Sequence, residues 1–405
     1  MSQSPIPIYS QAETFYVPQF EVYIRGKKAP DNVVQDILQV TYKDNINEID
    51  TFTIEINNWD AEKRMFKFVP PLDAYKNVFD PGATIEIWMG YEKNLRQMMR
   101  GQITSLAPTF SDGAAPTLSI GGLNELHQLR TEQHTFPWEN RTDTSIAQEL
   151  CAARPRPGHP GLGIAFDSAS KAEPDEAPQP FVFMNNQFDI VFLLERARVH
   201  GYEVYLKNVD GKQTLYFGLS ESKAVAPVYQ LEWGRSLIHF KPTLATSKQV
   251  SKVTVRGWNR RTNRPIEATV SLQDLWKEQG LSKTEIARRN QIAQAFGNRT
   301  EIVTDKPVHS QADAKQIARG MLDDQSKKMI QGSGATVGLP DLRAGCKLRI
   351  IGFGLHTDPS GNLQGAAGDF DGMYYVTETT HTIGSSGYRT DFSARREGSI
   401  ESQKN

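Results

Sequence analysis

Apolar and polar residues alternate with a period of two along most of the first 124 positions. Phe20, Val22 and Ile24 alternate with Glu21, Tyr23 and Arg25, and Phe52, Ile54 and Ile56 alternate with Thr51, Thr53 and Glu55. Successive side chains of a strand point to opposite faces, so this pattern predicts an antiparallel sheet or small barrel with one buried and one wetted face. Gly121-Gly122 closes that unit. The text then changes character up to about Ser222. Thr142 or Asp143 can cap a helix through Ala152, which Pro155, Pro157, Gly158 and Pro160 end. A second helix, Gln187 to His200, carries Ile190, Leu193, Leu194 and Ala197 on one stripe and stops at Gly201. Tyr202 to Leu206 and Thr214 to Phe217 make a hairpin around Asp210-Gly211, while Ser168 to Pro180, with Lys171, Glu173, Asp175, Glu176 and its prolines, reads as a surface loop that buries nothing.

Strands resume at Leu237 to Phe240, Lys252 to Trp258 and Ile266 to Val270. Helical text follows from about Leu272 to Ile330, with one clear amphipathic helix capped by Ser310, with Asp313 at its third position and a stripe of Ala314, Ile317, Ala318, Met321 and Leu322. After Gly332 the strands run to Arg396. The second β-unit therefore reads as split by a helical insertion.

One pattern occurs twice. Gly82, Ile85, Ile87 and Gly90 lead to Gly101 and a turn at Gly113; Gly345, Leu348, Ile350 and Gly352 lead to Gly372 and a turn at Gly384. Each copy is a glycine-led strand, a loop and an alternating hairpin. A duplicated β-module predicts internal pseudo-symmetry and a structural role.

At 405 residues the chain exceeds what one core usually organises, so two to four packed units are expected. A net charge of −1 leaves no global field to attract nucleic acid or anionic lipid. Cys151 and Cys346, the 2 cysteines, form neither a disulfide framework nor a metal cluster and read as buried thiols of a reducing compartment. The polar, proline-bearing start does not read as a signal peptide, and nothing approaches the roughly 20 apolar residues of a membrane-spanning helix. The expectation is a chain made in the cytoplasm that leaves the cell only inside something larger.

Motifs of chemistry are sparse. The 8 histidines are scattered without metal-ligand spacing, and neither a phosphate loop nor a dinucleotide fingerprint occurs. Ser168-Ala169-Ser170-Lys171 matches one motif of penicillin-binding serine enzymes without its companions. Asp44, Glu48 and Asp50 lack the glycine of a calcium loop, and Ile46 takes a ligand position, so they read as a solvated turn. Arg256, Arg260, Arg261 and Arg264 with Trp258 form a basic, aromatic-bearing hairpin that suits nucleic acid phosphates or an acidic partner surface; the neutral chain favours protein docking. No catalytic, cofactor or metal residues are assigned.

The run from Gly338 to Gly345, then Leu348-Arg349-Ile350, Gly372 to Thr377 with Thr380-His381, and Gly387 to Phe392 before Arg395-Arg396 resembles the C-terminal part of the phage late control protein D family. Trp138 to Ile146, Asn186 to Tyr205 and Val255 to Trp258 fit the same family, and the ordered match spans about Phe20 to Arg396. That family comprises tail hub proteins similar in fold to the phage T4 baseplate hub and to the N-terminal part of the type VI valine-glycine repeat spike proteins. The resemblance implies a mainly β chain with α+β parts: an arm (1–18), a first tube-like antiparallel β-barrel (19–125), a small α/β domain (126–230), a second barrel split into 231–271 and 332–396, a helical insertion (272–331) and a polar tail (397–405).

It also implies a non-enzymatic baseplate hub, a homotrimer whose six barrels match a sixfold tail tube ring to a threefold spike. Other expected partners are baseplate proteins and the tape measure protein, with DNA or effector cargo passing through the lumen, no cofactor and no membrane insertion. The chain stops before any needle or lysozyme domain, so the spike is expected to be a separate polypeptide. Interface candidates are barrel-edge strands and hairpins: Thr84, Ile85, Glu86 and Ile87 within Thr84 to Met89; Cys346, Lys347, Leu348 and Arg349 within Cys346 to Ile351; Tyr374 and Tyr375 within Tyr374 to Thr380; Tyr388 and Arg389; and Arg256, Trp258, Arg260 and Arg261. Asp358 to Asp371 is expected to be a contact arm or a mobile loop. The alternatives are a cell-wall hydrolase, which needs paired carboxylates or a metal in a cleft, and a stand-alone ligand-binding barrel.

Overall fold

The computed structural model describes residues 6–7, 17–69, 78–92, 94–152, 161–167, 176, 178–209, 212–220, 228–246, 249–260, 262–278, 283–294, 299–306, 308 and 310–398. The Ser168–Lys171 motif, the prolines at 155, 157 and 160, the Asp210-Gly211 turn, Arg261, and most of the arm and tail lie outside the described residues.

Two β-units of six strands dominate the architecture, and they share one topology. In chain order the first has Pro18–Ile24, Ile37–Asn45, Thr51–Asn57, Thr84–Tyr91, Asn94–Thr109 and Thr117–Asn124. Its sheet runs first, fourth, fifth, sixth, third, second. The second has Tyr229–Glu232, Leu237–Leu244, Ile330–Val337, Lys347–Ile351, Gly372–Gly384 and Gly387–Gly398, in the same sheet order. Registers match as well: Thr84 faces Gln102 as Lys347 faces Tyr375. Each fifth strand has a one-residue bulge at an equivalent place, at Thr104 and at Thr377, and each second strand has one at Leu38 and at Ile238; the first unit's fifth strand has a further bulge at Met98. The units differ in the first strand, which is antiparallel to the fourth in one and parallel to it in the other. Alternation supplies the cores, with Ile54, Ile56, Ile85, Ile87, Leu118 and Ile120 in the first unit and Leu231, Leu348, Ile350, Tyr374 and Val376 in the second all inaccessible to solvent.

The α/β unit lies between them in sequence. Thr142 caps helix Asp143–Cys151 by accepting from the Ser145 N–H, and helix Asp189–His200 ends at Gly201 in the left-handed conformation (φ 69°). The hairpin Glu203–Val209/Lys212–Gly218 packs with both helices into a separate core. Glu176, expected in a loop that buries nothing, is buried: its carboxylate accepts from the Thr144 N–H (3.1 Å) and hydroxyl (2.6 Å).

The insertion is larger than the sequence suggests. Strands Lys252–Asn259 and Arg264–Ser271 do not join the second β-unit; they pair with each other, and Lys252–Asn259 also with Thr300–Val303, as a sheet of their own. Their apolar face, with Val253, Val255, Ile266 and Val270, is covered by Ala314, Ile317, Ala318 and Leu322 of helix Gln311–Lys327. Alternation reveals a strand but not which sheet takes it. The Ser310 side chain caps that helix through the Asp313 N–H, as its sequence predicts. The loop expected to be a contact arm or mobile is tied down. The fully buried Asp371 accepts from the N–H groups of Phe353, Leu355 and Gly368, and Asp369 pairs with Arg288 of the insertion.

The paired glycines Gly82 and Gly345 hold φ near +84° and +86°. A methyl group on Gly82 meets nothing, whereas one on Gly345 runs into the ring and hydroxyl of the buried Tyr205. Gly82→Ala is expected to lose about 1–2 kcal/mol of stability from backbone strain, and Gly345→Ala about 2–5 kcal/mol once overpacking is added. Urea unfolding of the two variants checks this; equal losses would contradict it.

Candidate assembly interface

The two β-units are joined by strand pairing. Residues 378–384 of the second unit's fifth strand run antiparallel to residues 39–45 of the first unit's second strand, from Glu378 opposite Asn45 to Gly384 opposite Gln39. Both strands alternate, so one face of this seam is enclosed, and it holds Tyr42, Asp44, Thr379 and His381. Arg343 closes it. Its Nε donates to Asp44 Oδ2 at 2.6 Å, its terminal nitrogen donates to the Tyr42 hydroxyl, and the Ala344 N–H reaches the same Asp44 oxygen at 3.3 Å. The Thr379 hydroxyl donates to Asp44 Oδ1, and the Tyr42 hydroxyl donates to Asp50 Oδ2 at 3.1 Å. Asp44 and Asp50 are therefore a buried network, not the solvated turn expected from sequence. Burial, followed by the charge of Asp44, pushes the Asp50 carboxyl up to about 7. His381, 3.0 Å from the Leu342 carbonyl and 3.0 Å from the Tyr388 hydroxyl, is held down to about 4 by burial.

Most sequence-predicted contact residues belong to the interior. The strands Thr84–Tyr91, Lys347–Ile351 and Gly372–Gly384 are paired on both sides within one chain, so none is the edge it was expected to be. Ile85, Ile87, Leu348, Tyr374 and Tyr375 are fully buried, and Tyr388 nearly so. Their strong alternation reflects a core, a pattern that central and edge strands share. Thr84 and Arg389 are exposed, the latter paired with Asp391, while Glu86, Lys347 and Arg349 are half-buried. Cys151 is buried as expected; Cys346 is half-buried. On the basic hairpin Arg256, Trp258 and Arg260 are exposed, with Arg256 3.2 Å from Glu267. Among the described residues, two long stretches have an open flank: Leu237–Leu244, which pairs with Ile330–Val337 and otherwise makes a single bridge from Leu237 to Trp233, and the far half of Asn94–Thr109, beyond the reach of Thr84–Tyr91.

A second buried cluster was invisible in the sequence. Asp143, Glu176 and His200 offer ligand atoms within 4.8 Å of one another. Arg196 donates twice to Asp143, at 2.6 and 2.8 Å, and His200 Nε2 lies 2.6 Å from it. Burial raises the Asp143 carboxyl, but the hydrogen bonds from His200 and Arg196 outweigh it and hold the group below its usual range. The arrangement is an ion-paired clamp between two helices. A cation here would have to displace the Arg196 guanidinium.

Residues 15–385 match the family model described as the Alg8 N-terminal domain. The chain belongs to the Alg8 N-terminal domain family. No curated protein matches it in sequence. Its fold is similar to that of the 43 kDa tail protein of prophage MuSo2 from Shewanella oneidensis, at 15% identity, TM-score 0.63, and 94% and 98% coverage of this chain and that one. It is similar too to a tail protein from Neisseria meningitidis MC58 (16%, TM-score 0.60, 94% and 97%). A third similar structure is the E. coli c3393 protein, a type VI secretion component described as structurally similar to the T4 tail proteins gp27 and gp5 (14%, TM-score 0.52, 93% and 77%). At these identities the likeness is one of fold, and the mainly β fold with α+β parts expected from sequence is the one observed.

Two predictions concern the seam. Arg343→Met leaves Asp44 buried without its cation and is expected to lose about 3–5 kcal/mol, much of it recovered in Arg343→Met/Asp44→Asn; chemical unfolding of both variants checks this. The pH dependence follows from opposed shifts. Asp50, raised from 3.8 to about 7, keeps a proton in the fold that the unfolded chain gives up, so its contribution falls as pH rises from about 4 to 7. His381, lowered from 6.5 to about 4, does the reverse, so its contribution grows as pH rises from about 4 to 6.5. Asp50→Asn removes the falling part, and its urea midpoint is expected to climb between pH 4.5 and 6.5 more steeply than that of the unsubstituted protein; a parallel profile would contradict the assignment.

Proposed function

We propose that this chain is a structural, non-enzymatic component of a contractile phage tail or a related injection machine, a hub that assembles as a homotrimer between the tail tube and a separate spike. The observation that carries the reading is the duplication: two six-stranded units with one sheet order, matching registers and matching bulges, joined edge to edge. Three chains joined head to tail place six similar units in a ring whose chemistry is threefold. A sixfold tube ring meets the six repeated frames on one face, and a threefold spike meets the features that differ between units on the other. The tail proteins and type VI component of similar fold support the setting. Within that particle, baseplate proteins and the tape measure protein are further partners, and the exposed Arg256, Trp258 and Arg260 form a surface for docking to one of them. DNA or an effector passes the ring without sequence-specific contacts. Among the described residues no helix is long and apolar enough to cross a membrane.

Light scattering of the purified protein at several concentrations tests this. A mass approaching three chains as concentration rises, or on adding the spike protein, is the expected result; a monomer at every concentration and with the spike present would overturn it.

A further inference from the structure

The in-chain seam has a counterpart that one chain leaves open. The Thr104 and Thr377 bulges align the fifth strands, so residues 378–384 of the second unit correspond to residues 105–111 of the first. The Leu38 and Ile238 bulges align the second strands, so residues 39–45 correspond to residues 239–245. In the chain, 378–384 is paired with 39–45. Their equivalents, residues 105–111 and 239–245, have no strand paired on that side among the described residues.

We propose that residues 105–111 of one copy pair antiparallel with residues 239–245 of the next, and that this seam joins the copies. The proposal rests on the ring reading above and adds which edges meet and in what register. Transferring the in-chain register sets Ser105 opposite Ala245, Leu106 opposite Leu244, Ala107 opposite Thr243, Pro108 opposite Pro242, and Phe110 opposite Phe240.

Exposure and chemistry fit an edge that awaits cover. Phe110 is 61% exposed where its equivalent, Ile383, is 3% exposed inside the existing seam. Where the covered seam encloses Asp44, Tyr42, Thr379 and His381, the open one presents Leu244, Pro242, Leu106 and Pro108, an apolar set that a partner strand would remove from water.

The prolines agree in a finer way. The pair Gly384–Gly387 closes a two-residue turn and is hydrogen-bonded, so alternate residues Ile383, His381 and Thr379 turn their backbone groups toward residues 39–45. By equivalence Pro108 and Pro242 turn their N atoms off the sheet edge, where the missing donor costs nothing within the chain. They thus guard both edges against indiscriminate strand addition. In the proposed register they face each other, so the seam has two fewer hydrogen bonds than the in-chain one, and its apolar flanks, Phe110 with Phe240 and Leu106 with Leu244, must hold it. Copies should therefore separate on dilution while the two units of one chain stay joined. Each copy has one edge of each kind, so the contact is head to tail and must close to avoid a filament.

The test is the double variant Ala107→Cys/Thr243→Cys. Their pair is of the non-hydrogen-bonded type, with Cα atoms roughly 4.5 Å apart, within disulfide reach. On mild oxidation the double variant is expected to run as a covalent trimer on a non-reducing gel. A mixture of the two single variants should stop at covalent dimers, and the unsubstituted protein should not cross-link. Ala107→Asp should raise the concentration at which copies associate at least tenfold without changing the monomer's circular dichroism. A mass of three chains by light scattering with no cross-link would overturn the seam and leave the ring reading standing. A monomer under all conditions would overturn both.

Discussion

Everything in this architecture turns on the antiparallel pairing of residues 378–384 with residues 39–45. It joins the two six-stranded units, together with the short strands Ile6–Pro7 and Lys27–Lys28 at the ends, into one continuous fourteen-stranded sheet, and so fixes how the second repeat stands relative to the first. Backbone hydrogen bonds alone would tolerate a slip of two residues, which keeps every side chain on its face. The enclosed ion pair does not tolerate it: Arg343 reaches Asp44 and Tyr42 together only in the observed register. Desolvating these charges makes the pair a weak source of net stability but a strong penalty on any arrangement that parts them.

The same topology carries different side chains at equivalent edges. The closed seam is polar and permanent, lined by Asp44, Tyr42, Thr379 and His381. The equivalent open edges are apolar and interrupted by prolines, which suits a contact formed between copies after each has folded. Burial of Glu203 against Arg395 and the Tyr375 hydroxyl ties the α/β unit to the second β-unit, and Arg288–Asp369 ties in the insertion. The appended units are thereby fixed to one repeat, so the two repeats carry different outer chemistry.

Much of this was legible in the sequence. The glycines of the two modules lead equivalent strands, and Thr142, Gly201 and Ser310 mark helix ends through local hydrogen bonding that sequence encodes directly. What escaped is non-local. Asp44 looked solvated because its partner Arg343 lies 299 positions away, and His200 looked solitary because Asp143 and Glu176 meet it only in the fold. The strands Lys252–Asn259 and Arg264–Ser271 alternate like any others, and only the helix covering them reveals that they belong to the insertion. Edge strands could not be told from central ones, because alternation reports which face is buried and says nothing about the two flanks.

The measurement that tests the central claim most directly is electron microscopy of the assembled protein with two-dimensional averaging down the ring axis. The account predicts a closed ring of three chains, showing six similar lobes around an opening with threefold outer features. Twofold dimers, open filaments or isolated bilobed particles under associating conditions would contradict it.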